Sequence, residues 1–91
     1  MTYQASKHAQ TRMQQRGIPE QIVRNIIAYG DTRKVPGGAR ARFISKKSLK
    51  ALSKTLPKND CLDLERHKNV YVVLDGAAII TVGHRHKRFF N

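Results

Sequence analysis

Val70-Tyr71-Val72-Val73-Leu74-Asp75-Gly76-Ala77-Ala78-Ile79-Ile80-Thr81-Val82 is the stretch on which the fold turns. Two runs rich in β-branched residues, Val70 to Leu74 and Ala77 to Val82, flank Asp75-Gly76, a dipeptide that supplies the positive backbone angles of a tight hairpin. The pattern predicts the two central strands of a sheet. Upstream, Asp31 to Val35 reads as a short strand, Pro36-Gly37-Gly38 as a turn and Ala39 to Ile44 as a strand, so a second hairpin is expected.

Helical spacing precedes both hairpins. Ser6 suits the N-cap of a helix running to Arg16, and Gly17 falls where a left-handed stop belongs. The apolar side of this helix is only Ala9 and Met13. Pro19 suits the first turn of a second helix, in which Ile22, Val23, Ile26 and Ile27 recur at helical intervals until Gly30. Ser48 to Leu56 fits a short helix through Leu49, Leu52 and Leu56, or equally a basic loop carrying Lys46, Lys47, Lys50 and Lys54. Asp60, Cys61, Asp63, Glu65 and His67 include side chains able to bind metal, but they match no familiar ligand spacing and read as a charged loop entering the next strand. Without repeats or a linker, residues 1–91 are expected to form one domain.

Composition narrows the partners. Eighteen Lys and Arg against six Asp and Glu leave a net charge of +12, which favours polyanions, RNA first among them. No apolar run approaches the ~20 residues that cross a bilayer, so no membrane role is expected. The chain opens on no secretory-type segment, and its one cysteine, Cys61, cannot form an internal disulfide; a cytoplasmic location is expected. Cys61 has no evident base partner that would make it a nucleophile. There is no Walker-type phosphate loop.

Three basic groupings can handle phosphate. His8 and Arg12 stand four apart on the first helix, with Arg16 a turn further on; they hold a phosphate together or form an ordinary solvated face. Arg40 and Arg42 alternate with Ala41 and Phe43, so both guanidiniums line a groove or simply the wet side of a strand. Lys46 and Lys47 extend that surface. The last strand delivers Thr81 and then His84, Arg85, His86, Lys87 and Arg88, with Phe89 and Phe90 able to anchor the tail or stack on bases. Strict alternation puts Thr81 and His84 on opposite faces, so both serve one site only if Gly83 allows a bulge or the strand ends there. The alternative is a basic terminal tail.

The order His8-Ala9-x-x-Arg12-Met13-x-x-Arg16-Gly17-Ile18, an apolar helix ending at Gly30, a basic strand pair, and Thr81 just ahead of His84 and Arg85 resembles a known group. It is similar to small domains of unknown function assigned to the barnase–colicin–RelE ribonuclease superfamily, akin to the RelE/ParE toxins of bacterial toxin–antitoxin pairs. The resemblance covers nearly the whole chain. It implies an α+β fold with two N-terminal helices packed on a twisted, mostly antiparallel sheet of about four strands, and a basic cleft that cuts RNA with no metal or other cofactor. Carried over, it marks His8, Arg12, Thr81 and His84 as catalytic. Arg40 and Arg42 become sheet arginines; the basic charge pattern itself adds Arg16, Lys46, Lys47, Arg85, His86, Lys87 and Arg88 as RNA-binding residues. Gly83 stands where relatives often carry a tyrosine or other large residue, so a stacking ring is missing there. Some members poison gyrase instead of cutting RNA, so fold leaves the activity open.

The expected function is a metal-independent endoribonuclease, the toxin of a toxin–antitoxin pair, that cuts RNA by 2′-OH transesterification. His84 or His8 takes the hydroxyl proton, the other group protonates the departing oxygen, Arg12, Arg40, Arg42 and Arg85 stabilise the phosphorane, and Thr81 orients an oxygen. The substrate is RNA, free or as ribosome-bound mRNA, and the partner is an acidic antitoxin protein. The alternatives are a non-catalytic RNA-binding module and a gyrase-directed toxin.

Overall fold

In the computed structural model, which describes residues 3–85, the chain runs β1 (Gln4–Ala5), α1 (Lys7–Gln15), α2 (Glu20–Tyr29), β2 (Asp31–Lys34), β3 (Arg40–Phe43), α3 (Lys46–Leu52), α4 (Lys58–Arg66), β4 (Val70–Asp75) and β5 (Ala78–His84). The strands form one sheet in the order β1-β5-β4-β3-β2. Among the described residues only the β1–β5 pair is parallel. The quoted stretch is indeed the β4–β5 hairpin at the sheet centre, closed by the two-residue loop Gly76-Ala77 with Gly76 at φ 58°. No helix among the described residues is long and apolar enough to cross a membrane.

The α+β class holds, but the expected two helices and four strands become four helices and five strands among the described residues. β1 is only two residues long and carries no pattern; it exists because the Gln4 and Ser6 N–H groups donate to the Ala77 and Ile79 carbonyls at 3.0 and 2.9 Å. The Asp60–His67 segment is not a loop. Asp60 to Glu65 lie in α4 and His67 is its C-cap; the only fully buried residue of α4 is Leu64, so its apolar stripe is too thin to show a period among charged neighbours. Asp60 in its first turn and Arg66 in its last suit the helix dipole. Cys61 faces α3 and its exit, with Sγ 3.6 Å from the Leu52 carbonyl oxygen. For the Ser48–Leu56 segment, helix wins, but earlier: α3 starts at Lys46 because the Ser45 Oγ caps the Ser48 N–H at 3.0 Å.

The core occupies one face of the sheet. Ile22, Val23, Ile26 and Ile27 of α2 and Leu64 of α4 pack with Val70, Val72, Leu74, Ile79 and Val82. Burying each such aliphatic side chain contributes roughly 1.5–3 kcal/mol. Leu74 pairs with Ile79 and Val73 with Thr81, which leaves Ile80 as an extra residue, a β-bulge. An unbroken β5 would aim Ile79 and Thr81 at the same side. The bulge keeps Ile79 in the core and turns Thr81 to the other face.

Asp31 ties the start of β2 to the start of α3. Its Oδ2 accepts from Ser48 Oγ at 2.6 Å and from the Ser45 N–H at 3.3 Å. Burial alone raises the Asp31 carboxyl; hydrogen bonds from Ser45 and Ser48 and the field of Arg42 outweigh it, so the group titrates below its ordinary 3.8. A carboxyl depressed in the folded state adds stability above its unfolded pKa and loses it as pH falls through the folded value. Asp31→Asn should therefore destabilise the neutral protein and flatten the loss of stability below a pH of about 4. Parallel acid-limb denaturation curves for the two proteins would overturn this.

Candidate functional site

The face opposite the core is built from every second residue of the central strands. Thr81, Val73, Ala41 and Arg33 form one cross-strand row, and Gly83, Tyr71, Phe43 and Asp31 form the next. No strand residue of the core cluster lies on this face. α1 runs beside β5, held there by its N-cap residue: Ser6 Oγ donates to the Ile80 carbonyl at 3.3 Å and accepts from the Ala9 N–H at 3.1 Å. Ala9 is buried and Met13 packs against the core. That orientation turns the His8 side of the helix toward this face, and His8 Nε2 lies 3.2 Å from Thr81 Oγ1 in an exposed contact.

This contact joins two positions 73 residues apart in the chain. Depending on the tautomer, the imidazole donates to the hydroxyl oxygen or accepts from it, so Thr81 fixes the ring while leaving its other nitrogen to act. Arg12, half-buried, stands one turn along the same side of α1. Arg16 is the exposed C-cap of that helix. His8 and Thr81 are thus in contact, with Arg12 one helical turn from His8.

His84 is not with them. β5 runs in regular register through Tyr71↔Gly83 and Val70↔His84, so its bulge is at Ile80 and not at Gly83, and alternation sends His84 to the core-side face, where it is exposed at the strand end. Arg40 and Arg42 also point to that side. The Arg42 guanidinium is bound to Thr32 Oγ1 and donates to the Ile27 carbonyl at 2.7 Å, which makes it a strut between the sheet and α2 and not an open phosphate ligand. Arg40 is exposed at the start of β3. Arg85 does return to the open face: its guanidinium lies 5.1 Å from the centre of the Phe43 ring and donates to the Ile44 and Lys68 carbonyls, each at 3.2 Å. Lys46 and Lys47 are exposed in the first turn of α3. His86, Lys87 and Arg88, with Phe89 and Phe90, lie outside the described residues.

Tyr71 was not among the expected site residues. A methyl group placed on Gly83 would meet the Tyr71 ring and hydroxyl at 3.1–3.2 Å, so the ring lies across the glycine as its cross-strand partner. Such covering of a strand glycine by an aromatic neighbour is a known device of sheets. The alternation in Val70-Tyr71-Val72-Val73 could have flagged Tyr71 as the outward residue of an inner strand, had the pairing with Gly83 been known.

The family model for a domain of unknown function, DUF4258, matches residues 5–84, from β1 to the end of β5. The chain belongs to this family. No curated protein and no solved structure matches it. In this DUF4258 domain the match takes in His8 and Thr81, which are in contact, Tyr71 and Gly83, which pair across the strands, and Arg12. No group of three His, Cys, Asp or Glu able to hold a metal occurs among the described residues.

Proposed function

We propose that this DUF4258 domain is an endoribonuclease that cuts RNA by metal-independent transesterification and serves as the toxin of a bacterial toxin–antitoxin pair, related to the RelE/ParE toxins. The observation that carries the reading is the exposed 3.2 Å contact of His8 and Thr81 on the face of the sheet opposite the core. An imidazole held by a hydroxyl on a strand is a positioned proton acceptor near neutral pH. His8 takes the proton of a ribose 2′-OH, that oxygen bonds to the adjacent phosphorus, and the bond to the 5′-oxygen breaks, leaving a 2′,3′-cyclic phosphate. Because the site is exposed, the departing 5′-oxygen takes its proton from water. Arg12 supports the extra negative charge on phosphorus. His84, on the other face, has no part in the step, and Arg42 acts through the fold.

The acidic antitoxin of this proposal covers the open face, placing carboxylates at Arg12 and Arg85, and competes with RNA for them. Incubating the purified chain with single-stranded RNA in excess chelator tests the activity. Cleavage leaving 2′,3′-cyclic phosphate ends is expected; binding without cleavage would replace the enzyme by an RNA-binding module, and intact RNA with inhibited supercoiling would point to gyrase.

A further inference from the structure

Ser6 joins the end of β1 to the start of α1. Its N–H donates to the Ile79 carbonyl at 2.9 Å and continues the short parallel ladder in which the Gln4 N–H donates to Ala77. Its hydroxyl makes two further bonds. Oγ accepts from the Ala9 N–H at 3.1 Å, which caps α1, and donates to the Ile80 carbonyl at 3.3 Å. Ile80 is the extra residue of the β5 bulge, with no Cα partner on β4. The ladder is locally interrupted at such a residue, so pairing with the neighbouring strand does little to hold it. Ser6 stands two residues before His8, and Ile80 stands directly before Thr81. One hydroxyl therefore joins the two backbone segments that carry the 3.2 Å His8–Thr81 contact.

We infer that Ser6 is a positioning residue of the proposed reaction: its hydroxyl sets the start of α1 against the β5 bulge and so holds the His8 imidazole at Thr81. The inference rests on the ribonuclease reading above and adds a residue that acts through His8 and not on the reacting atoms. His8 is exposed, so burial does little to fix its ring, and placement has to come from the helix that carries it. A misplacement of about 1 Å that originates away from the chemistry can cost roughly 100-fold in rate. Gln10 stiffens the same segment, its Nε2 donating to the Ala5 carbonyl at 3.0 Å, but that bond stays between β1 and α1. The β1 ladder sets the height of the segment along β5. The Ser6 hydroxyl reaches past that ladder to the bulge itself, the point from which Thr81 is turned toward His8.

Threonine and glycine are about equally good N-caps, so Ser6→Thr and Ser6→Gly differ chiefly in the hydroxyl. Ser6→Thr should cleave single-stranded RNA at close to the parent rate. Ser6→Gly should melt near Ser6→Thr, yet its single-turnover rate should fall by roughly 10- to 100-fold with the RNA concentration for half-saturation little changed. A second readout is independent of cleavage: the nuclear Overhauser effect between the His8 ring and the Thr81 methyl should be present in the parent and in Ser6→Thr and lost in Ser6→Gly. If Ser6→Gly does not fold, Ser6→Asp takes its place in the second readout, because its carboxylate caps a helix as well as serine does but has no proton to give Ile80 at neutral pH. A retained Overhauser effect in the variant without the hydroxyl, or Ser6→Thr as slow as Ser6→Gly, would overturn the inference. Loss of the effect in Ser6→Gly from a parent that cuts no RNA would overturn only the enzymatic reading, and cleavage by Ser6→Gly at the parent rate would overturn only this one.

Discussion

His8→Ala is expected to slow RNA cleavage by roughly 10²–10⁴-fold, the usual contribution of a positioned proton-transfer group. His84→Ala should cut at close to the parent rate. The two histidines look alike in sequence, and the difference follows from the face each one occupies: His8 contacts Thr81 across α1 and β5, while regular pairing through Val70↔His84 sends His84 to the other side of the sheet. Thr81→Ala should lower the rate by less than His8→Ala, because the hydroxyl orients the ring without itself carrying the proton. Single-turnover rates for the three variants, with folding checked by circular dichroism, settle the assignment. Equal damage from His8→Ala and His84→Ala would mean that the cleft is assembled from both faces, contrary to this register.

Gly30→Ala should be the most damaging small substitution to the fold. A methyl group there would come within 2.5 Å of the Ile26 carbonyl oxygen and 2.7 Å of the Phe43 carbonyl oxygen. Both are backbone atoms, so neither can swing aside. The backbone at Gly30, with φ −78°, is open to any residue; what the position lacks is space between the end of α2 and β3. Overpacking of this kind costs about 1–3 kcal/mol and more where backbone must separate. For a domain of this size each kcal/mol lowers Tm by about 4–8 °C. A thermal melt of Gly30→Ala within a degree or so of the parent would contradict the close approach. Gly17, at φ 62° with open space where a side chain would go, gives a contrast: there strain, not crowding, opposes substitution.

Much of the architecture is local in origin and so was legible in the chain. Val70–Asp75 and Ala78–His84 declare themselves by β-branched runs around a turn, and Glu20–Tyr29 by four apolar residues at helical spacing. Ser6 and Gly17 mark the ends of α1, and their signals act within a few bonds of the backbone they control. α4 escaped because one fully buried leucine does not make a period, and β1 because two residues cannot.

His8 and Arg12 as neighbours on one helix, the tight β4–β5 turn and the excess of positive charge were determined by sequence alone, because each depends only on residue type and short spacing. The partners across the chain were decided by tertiary structure. A one-residue bulge at Ile80 reverses the direction of every β5 side chain beyond it, and no residue in Ile79-Ile80-Thr81 announces where that extra residue falls. It sends Thr81 to His8, turns Val82 and His84 to the core side, and puts Gly83 beneath Tyr71. Arg42 is a similar case: alternation placed it beside Arg40, but only the packing of α2 on the sheet makes its guanidinium a strut to the Ile27 carbonyl. Register and helix packing are settled by which faces can be buried together, a property of the whole folded chain and not of any one segment.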